Sequence, residues 1–203
     1  MHSDIIEPTH KKGLASQDRI VRATLSLIET VPFDQLSIAK IMDEAGMAVG
    51  TFYRRFKSKE GVLPFVFKAY DDLFVEWAQD FAASEPVAPD EMIGVVVRRT
   101  AKLFSDNAGL IRTVHLYDRL HPEMRATTPG RQELAHLMGA VVAKDFANPT
   151  QEDLAKGRMA IMTMVSVMIE YFLYKNHSPA NALDLPSQTV QDLLTMMLSA
   201  FKA

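Results

Sequence analysis

Cysteine is absent from this chain of 203 residues, which excludes a disulfide framework and a thiolate metal site and fits a reducing compartment. Long apolar runs are lacking too. The greasiest stretch, Met159 to Tyr174, is interrupted by Glu170 and falls short of the roughly 20 apolar residues that span a bilayer. The opening residues Met1-His2-Ser3-Asp4 show no basic segment followed by an apolar one, so no signal peptide and a cytoplasmic location are expected, with no membrane association. No run alternates polar and apolar residues convincingly with period two, and no repeat is visible, so an all-α chain is expected. The motifs of catalysis are missing as well. There is no Ser-His-Asp constellation, no glycine loop for phosphate, no H-E-x-x-H and no carboxylate pair, so no catalytic residue and no cofactor are expected. His115, His121, His136 and Glu170 lie too scattered for a metal site. A helical enzyme with a cryptic site stands as the alternative of another class, since fold alone does not supply function.

What is present is a core and a local charge. The hydrophobic fraction is 48% and the charged fraction 23%, ample for a folded interior. The length suits one large domain or a small domain joined to a medium one. The net charge of −3 is unevenly spread: 9 Lys and Arg face 8 Asp and Glu through Glu60, leaving 13 against 17 behind it. Arg54, Arg55, Lys57 and Lys59 fall within six positions. A compact basic patch on an otherwise acidic chain suits a phosphate-binding surface.

Residues 1–15 are polar and predict a flexible arm. Ser16 then suits an N-cap, with Ile20, Ala23, Leu27 and Ile28 at helical spacing until Pro32. Ser37 opens a short helix whose Ile38, Ile41, Met42 and Ala45 should face inward, and Gly46 ends it. Val49, Phe52, Tyr53 and Phe56 repeat the spacing in a third helix. Ser58 predicts the cap of a fourth, with Glu60 in its first turn and an end near Ala83. Further helices are expected over about 90–105, 109–119, 130–146, 151–176 and 187–202.

The pair 37–45 and 48–56, joined through small Ala45, Gly46 and Ala48, has the form of a helix-turn-helix unit. On a helical wheel of the second helix, Val49, Phe52 and Phe56 cluster on one side. Thr51 and Arg54 point to the other, with Gly50 between them and Tyr53 and Arg55 flanking. Thr51 suits a thymine methyl or a phosphate and Arg54 a guanine edge or a phosphate in a major groove. Gly50 allows close backbone approach, and Lys59 at the next helix start suits a phosphate. The competing reading is two packed core helices with a solvated charge run.

The stretch from Ser37 to Glu60, with the core Gly50-Thr51-Phe52-Tyr53-Arg54-Arg55-Phe56-Lys57-Ser58-Lys59-Glu60, resembles the signature of the TetR family of regulators. The resemblance implies a three-helix DNA-binding domain over about 16–60. Behind it, 61–203 would form a helical domain that dimerises and binds a small molecule. It assigns DNA contacts to Ser37, Ala48, Val49, Gly50, Thr51, Tyr53, Arg54, Arg55 and Lys59. Three positions depart from the family pattern. Met42 stands where a small residue is common, Ala48 replaces a frequent Ser or Thr, and Arg55 replaces a frequent His.

The helices expected over 151–176 and 187–202 are the most apolar. Met159, Met162, Met164, Val165, Met168, Ile169 and Phe172 crowd the first, and Val190, Leu193, Leu194, Met197, Leu198 and Phe201 the second. Two such helices suit a twofold four-helix interface, hence a homodimer on a palindromic double-stranded operator. A purely intramolecular core is the alternative. Candidates for a small-molecule effector are Arg99, His115, Tyr117, Met162 and Glu170, although each also suits a structural role. Arg99 shares the register of Met92, Val96 and Leu103. It either brings a charge into an apolar stripe or lays its stem along it with the head in solvent. The expected mechanism is a repressor whose effector binds among helices of 90–176, tilts the fourth helix and releases the operator. Control by a protein partner, the absence of any ligand, and activation in place of repression are the alternatives.

Overall fold

A computed structural model describes residues 4–6, 11–84, 91–121, 150–173 and 186–199, and within them the chain is all-α. The helices are α1 (Lys11–Ile28), α2 (Ile38–Glu44), α3 (Val49–Phe52), α4 (Leu63–Ala83), α5 (Met92–Asp106), α6 (Ala108–Leu120), α7 (Gln151–Met168) and α8 (Ser187–Ser199). Tighter turns precede α2 and α4 at Phe33–Gln35 and Lys59–Val62, and a π-turn, Ile169–Leu173, extends α7. The helix expected over 130–146 lies outside the described residues. No described helix is long and apolar enough to cross a membrane.

The chain forms two compact units. The first joins Met1–Tyr70 to Gly109–Thr128, and the second joins Asp71–Ala108 to Pro129–Ala203. This division differs from a single cut after Glu60, because α6 belongs with α1, α2 and α3. The reason is visible at its first turn, where two backbone N–H groups lack helical partners. Glu29 supplies both: its carboxylate accepts from Gly109 N at 2.9 Å and Leu110 N at 3.0 Å. A negative group there also opposes the helix dipole favourably. Gly109 itself is required, since a Cβ would fall on the Ile28 carbonyl oxygen. Farther along α6, buried Tyr117 meets Phe33 edge-on, with ring centroids 5.2 Å apart.

The core of the first unit takes Ile20 and Ile28 from α1, Ile41 and Met42 from α2, and Phe52 with Phe56 at and beyond α3. Met42 is completely buried, so the larger residue at that family position is absorbed by the packing. Two sequence expectations need correction. Val49 and Tyr53 are 42% and 53% exposed, so the inward face of the third helix is Phe52 and Phe56 alone; the helix is too short to carry four inward positions. The opening segment is also less free than a polar composition implies. α1 begins at Lys11, ahead of Ser16, and Ile5 bridges Phe56 with Lys57 N donating to Asp4 O and Ile6 N to Arg55 O.

In the second unit α5 packs along α8; Val96, Val97, Ala101 and Phe104 of α5 and Val190, Leu194 and Leu198 of α8 are all buried. Thr150 and Asp153 form a reciprocal capping box at the start of α7, which satisfies the orphan amides there. The Thr150 hydroxyl and amide donate to the Asp153 carboxylate and hold its pKa below the ordinary value. The methionines of α7 divide: Met164 and Met168 are buried, whereas Met159 and Met162 are exposed.

Candidate nucleic-acid interface

The site is built from α2, the turn after it, and α3. Ser37 caps α2, its hydroxyl accepting from Lys40 N at 3.1 Å. Gly46 ends the helix with φ 62, a left-handed conformation in which a side chain is strained. The turn is also held from outside. Arg19 of α1 donates to the Ala45 carbonyl at 2.6 Å, placing a cation at the C-terminus of α2 where the dipole favours it. Fully buried Phe52 and Phe56 then fasten α3 from below.

With that anchor, α3 presents a continuous outer edge. Ser37, Ala48, Val49, Gly50, Tyr53 and Arg54 are exposed, and Thr51 and Arg55 are half-buried. Arg54 donates to the Thr51 hydroxyl at 2.9 Å, which steadies the guanidinium yet leaves most of its five donors available. Arg55 is more committed: its Nε donates to Ser16 Oγ at 3.0 Å and one Nη to the Arg54 carbonyl. The order of side chains suits a major groove, with small residues where the backbone approaches and an arginine behind.

Lys59 sits differently from its sequence reading. Its ammonium donates to the carbonyls of Phe33, Asp34 and Leu36 at 2.9, 3.0 and 2.9 Å and lies 5.0 Å from the Phe33 ring centroid. Three donors meet three acceptors, so in this structure the cation is consumed in tying the segment before α2 to the start of α4.

The five effector candidates do not form one cluster within either unit. His115 and Tyr117 belong to the first, where the Tyr70 hydroxyl and His115 Nε2 lie 3.4 Å apart. Burial, reinforced by the negative charges of Asp34 and Glu60, raises the Tyr117 pKa. Arg99, Met162 and Glu170 belong to the second unit and are exposed. Arg99 rests over the Phe81 ring, 5.1 Å from its centroid; this corresponds to the solvent-headed reading, because an aromatic face supports the cation without desolvating it fully. Glu170 occupies the π-turn. No group of three or more His, Cys, Asp or Glu capable of holding a metal occurs among the described residues. Sequence reasoning missed Arg19, Glu29 and the Asp4–Ile6 segment. Each acts on a partner more than 25 positions away or on backbone atoms, and neither relation leaves a periodic signal.

Comparison with known proteins agrees with this geometry. Residues 20–64 match the family model described as bacterial regulatory proteins, tetR family. A fatty acid metabolism regulator protein of Bacillus subtilis is 28% identical over 89 residues, which is 44% of this chain and 46% of the relative. The matched part thus spans about half the length of that relative. Among solved structures, a TetR-family regulator from Mesorhizobium loti superposes with a TM-score of 0.67 at 12% identity, covering 95% of this chain and 97% of that one. The fatty acid degradation regulator FadR of Bacillus halodurans does so at 0.60 and 18%, covering 93% and 97%. Residues 20–64 thus match the tetR-family model, and the chain as a whole shares the fold of these solved regulators.

Proposed function

We propose that the protein is a homodimeric, DNA-binding transcriptional repressor that leaves a palindromic operator when a small-molecule effector binds. The observation that carries this reading is the outer edge of α3 and the turn after it, where exposed Tyr53 and Arg54 flank half-buried Thr51 above a scaffold fixed by buried Phe52 and Phe56. Ser37, Ala48, Val49 and Gly50 complete the contact surface, and Arg55 adds charge at its margin. Lys59 acts mainly by holding Leu36, the residue before Ser37, in place.

The dimer reading rests on α7 and α8. α8 buries Val190, Leu194 and Leu198, yet Leu193, Met196 and Met197 on its other side are exposed, as are Met159 and Met162 of α7. So many apolar side chains on two neighbouring helices suit burial against a second copy. Two copies carry two reading helices, which requires a twofold-related pair of half-sites. An effector held by the second unit acts by population shift, which demands tighter binding to the operator-incompetent state.

Retention of genomic fragments across a salt series, followed by sequencing, tests the reading. A shared palindromic site bound by two copies and weakened by salt is the expected result. Salt-sensitive retention without any shared site would reduce the interface to a nonspecific basic patch.

A further inference from the structure

The exit of α3 is fastened by a segment far from it in the chain. Ile5 bridges Phe56 in antiparallel fashion. The Ile6 amide donates to the Arg55 carbonyl at 2.8 Å, and the Lys57 amide donates to the Asp4 carbonyl at 2.9 Å. The Ser58 hydroxyl adds a longer contact, 3.4 Å, to the Asp4 carboxylate. Residues 4–6 thus form a strap across residues 55–58. Gly61 leaves the space it needs: a Cβ there would lie 2.9 Å from the Asp4 carbonyl oxygen and 3.4 Å from Phe56 Cβ. Arg55 is held twice, since its side chain also donates to Ser16 of α1.

A helix of four residues without a side-chain cap does not hold its own direction. Buried Phe52 and Phe56 fasten α3 from below, and the strap takes the main-chain groups that follow exposed Tyr53 and Arg54. Reading a base edge depends on directional hydrogen bonds, whereas attraction to phosphate tolerates small displacements. The strap's own side chains, one carboxylate and two aliphatic groups, offer a phosphate no donor. We propose that Asp4–Ile6 is a positioning strap: without touching DNA, it holds Tyr53 and Arg54 in the geometry that reads bases and so raises specific over nonspecific binding. The proposal rests on the DNA-binding reading above, to which it adds a specificity element outside the helix-turn-helix.

Two variants act on the strap from opposite sides. Ile6→Pro removes the amide that donates to Arg55 and keeps Ile5 in the extended region that a bridge requires. Gly61→Ala places a methyl group against the Asp4 carbonyl. Each is expected to lower affinity for the operator recovered by the genomic screen about fivefold to tenfold, the scale of one lost hydrogen bond. Affinity for random-sequence DNA and the salt slope should stay at the parent's values. A domain that was merely less stable would lose both affinities in proportion, so their ratio carries the test. The double variant should lose no more than either single one, because both act through one contact. Hydrogen exchange reads the strap without DNA: the Lys57 amide should exchange about tenfold faster, or more, in each variant. An unchanged affinity ratio, a lower salt slope, additive losses in the double variant or unchanged Lys57 exchange would each overturn the proposal. A parent that selects no operator would sink the DNA-binding reading and the specificity role with it. Lys57 exchange would still show whether the strap forms, which keeps the two failures apart.

Discussion

Arg54 and Lys59 are cations five residues apart with different employments. Arg54 spends one donor on Thr51 and exposes the rest, whereas Lys59 gives all three to main-chain carbonyls. Arg54→Ala should therefore weaken operator binding by about 1–3 kcal/mol if it reads a base. If it holds a phosphate, it should lower the salt slope by about one; affinities at several salt concentrations separate the two. Lys59→Gln should lower the melting temperature and operator affinity together with the salt slope intact, and a reduced slope would restore Lys59 to phosphate binding. Tyr117 adds a pH dependence. Its folded pKa is raised by burial and by Asp34 and Glu60, so the folded state retains a proton that the unfolded chain releases above about pH 10. Its contribution is fully present below that value and lost as pH rises through the folded pKa. Tyr117→Phe should flatten the fall in melting temperature between about pH 9 and about pH 11; an unchanged fall would assign it to other groups.

At the scale of elements, α3 has no side-chain cap and only four residues, far below the length at which a helix is stable alone. Its order comes from Phe52, Phe56 and the turn at Gly46. The residue spacing made this pair legible in the sequence, because apolar positions three and four apart define a helix face whatever its neighbours are. The same spacing overextended the face to Val49 and Tyr53, since periodicity does not register where a helix stops. α6 illustrates the opposite case. Its attachment to α1 depends on Glu29 reaching two amides and on Gly109 lying against the Ile28 carbonyl. Gly109→Ala should destabilise the protein by about 1–3 kcal/mol or more through overpacking against backbone that has little room to yield. Denaturant unfolding measures it; a neutral result would mean that the α1–α6 contact is loose in solution.

For the whole molecule the decisive question is what covers the outer faces of α7 and α8. Leu193→Asp combined with Met196→Asp should leave the buried stripe of α8, Val190, Leu194 and Leu198, untouched. It should nonetheless dissociate the proposed dimer, seen as a halved mass in sedimentation, and weaken operator binding by much more than tenfold as paired reading is lost. A dimer that survives both charges would place the interface elsewhere.

Helical class, the helix-turn-helix and the outward arginine were all determined by the sequence, because each depends on neighbours within one or two turns. Glycine at the tight turn, apolar periodicity and a dense basic cluster are local signals. The tertiary structure alone decided that α6 joins the helix-turn-helix unit, that Lys59 is occupied by carbonyls, and that Arg99 stays at the surface. Those outcomes depend on which distant carbonyls, amides and rings come into contact, and no spacing along the chain encodes that.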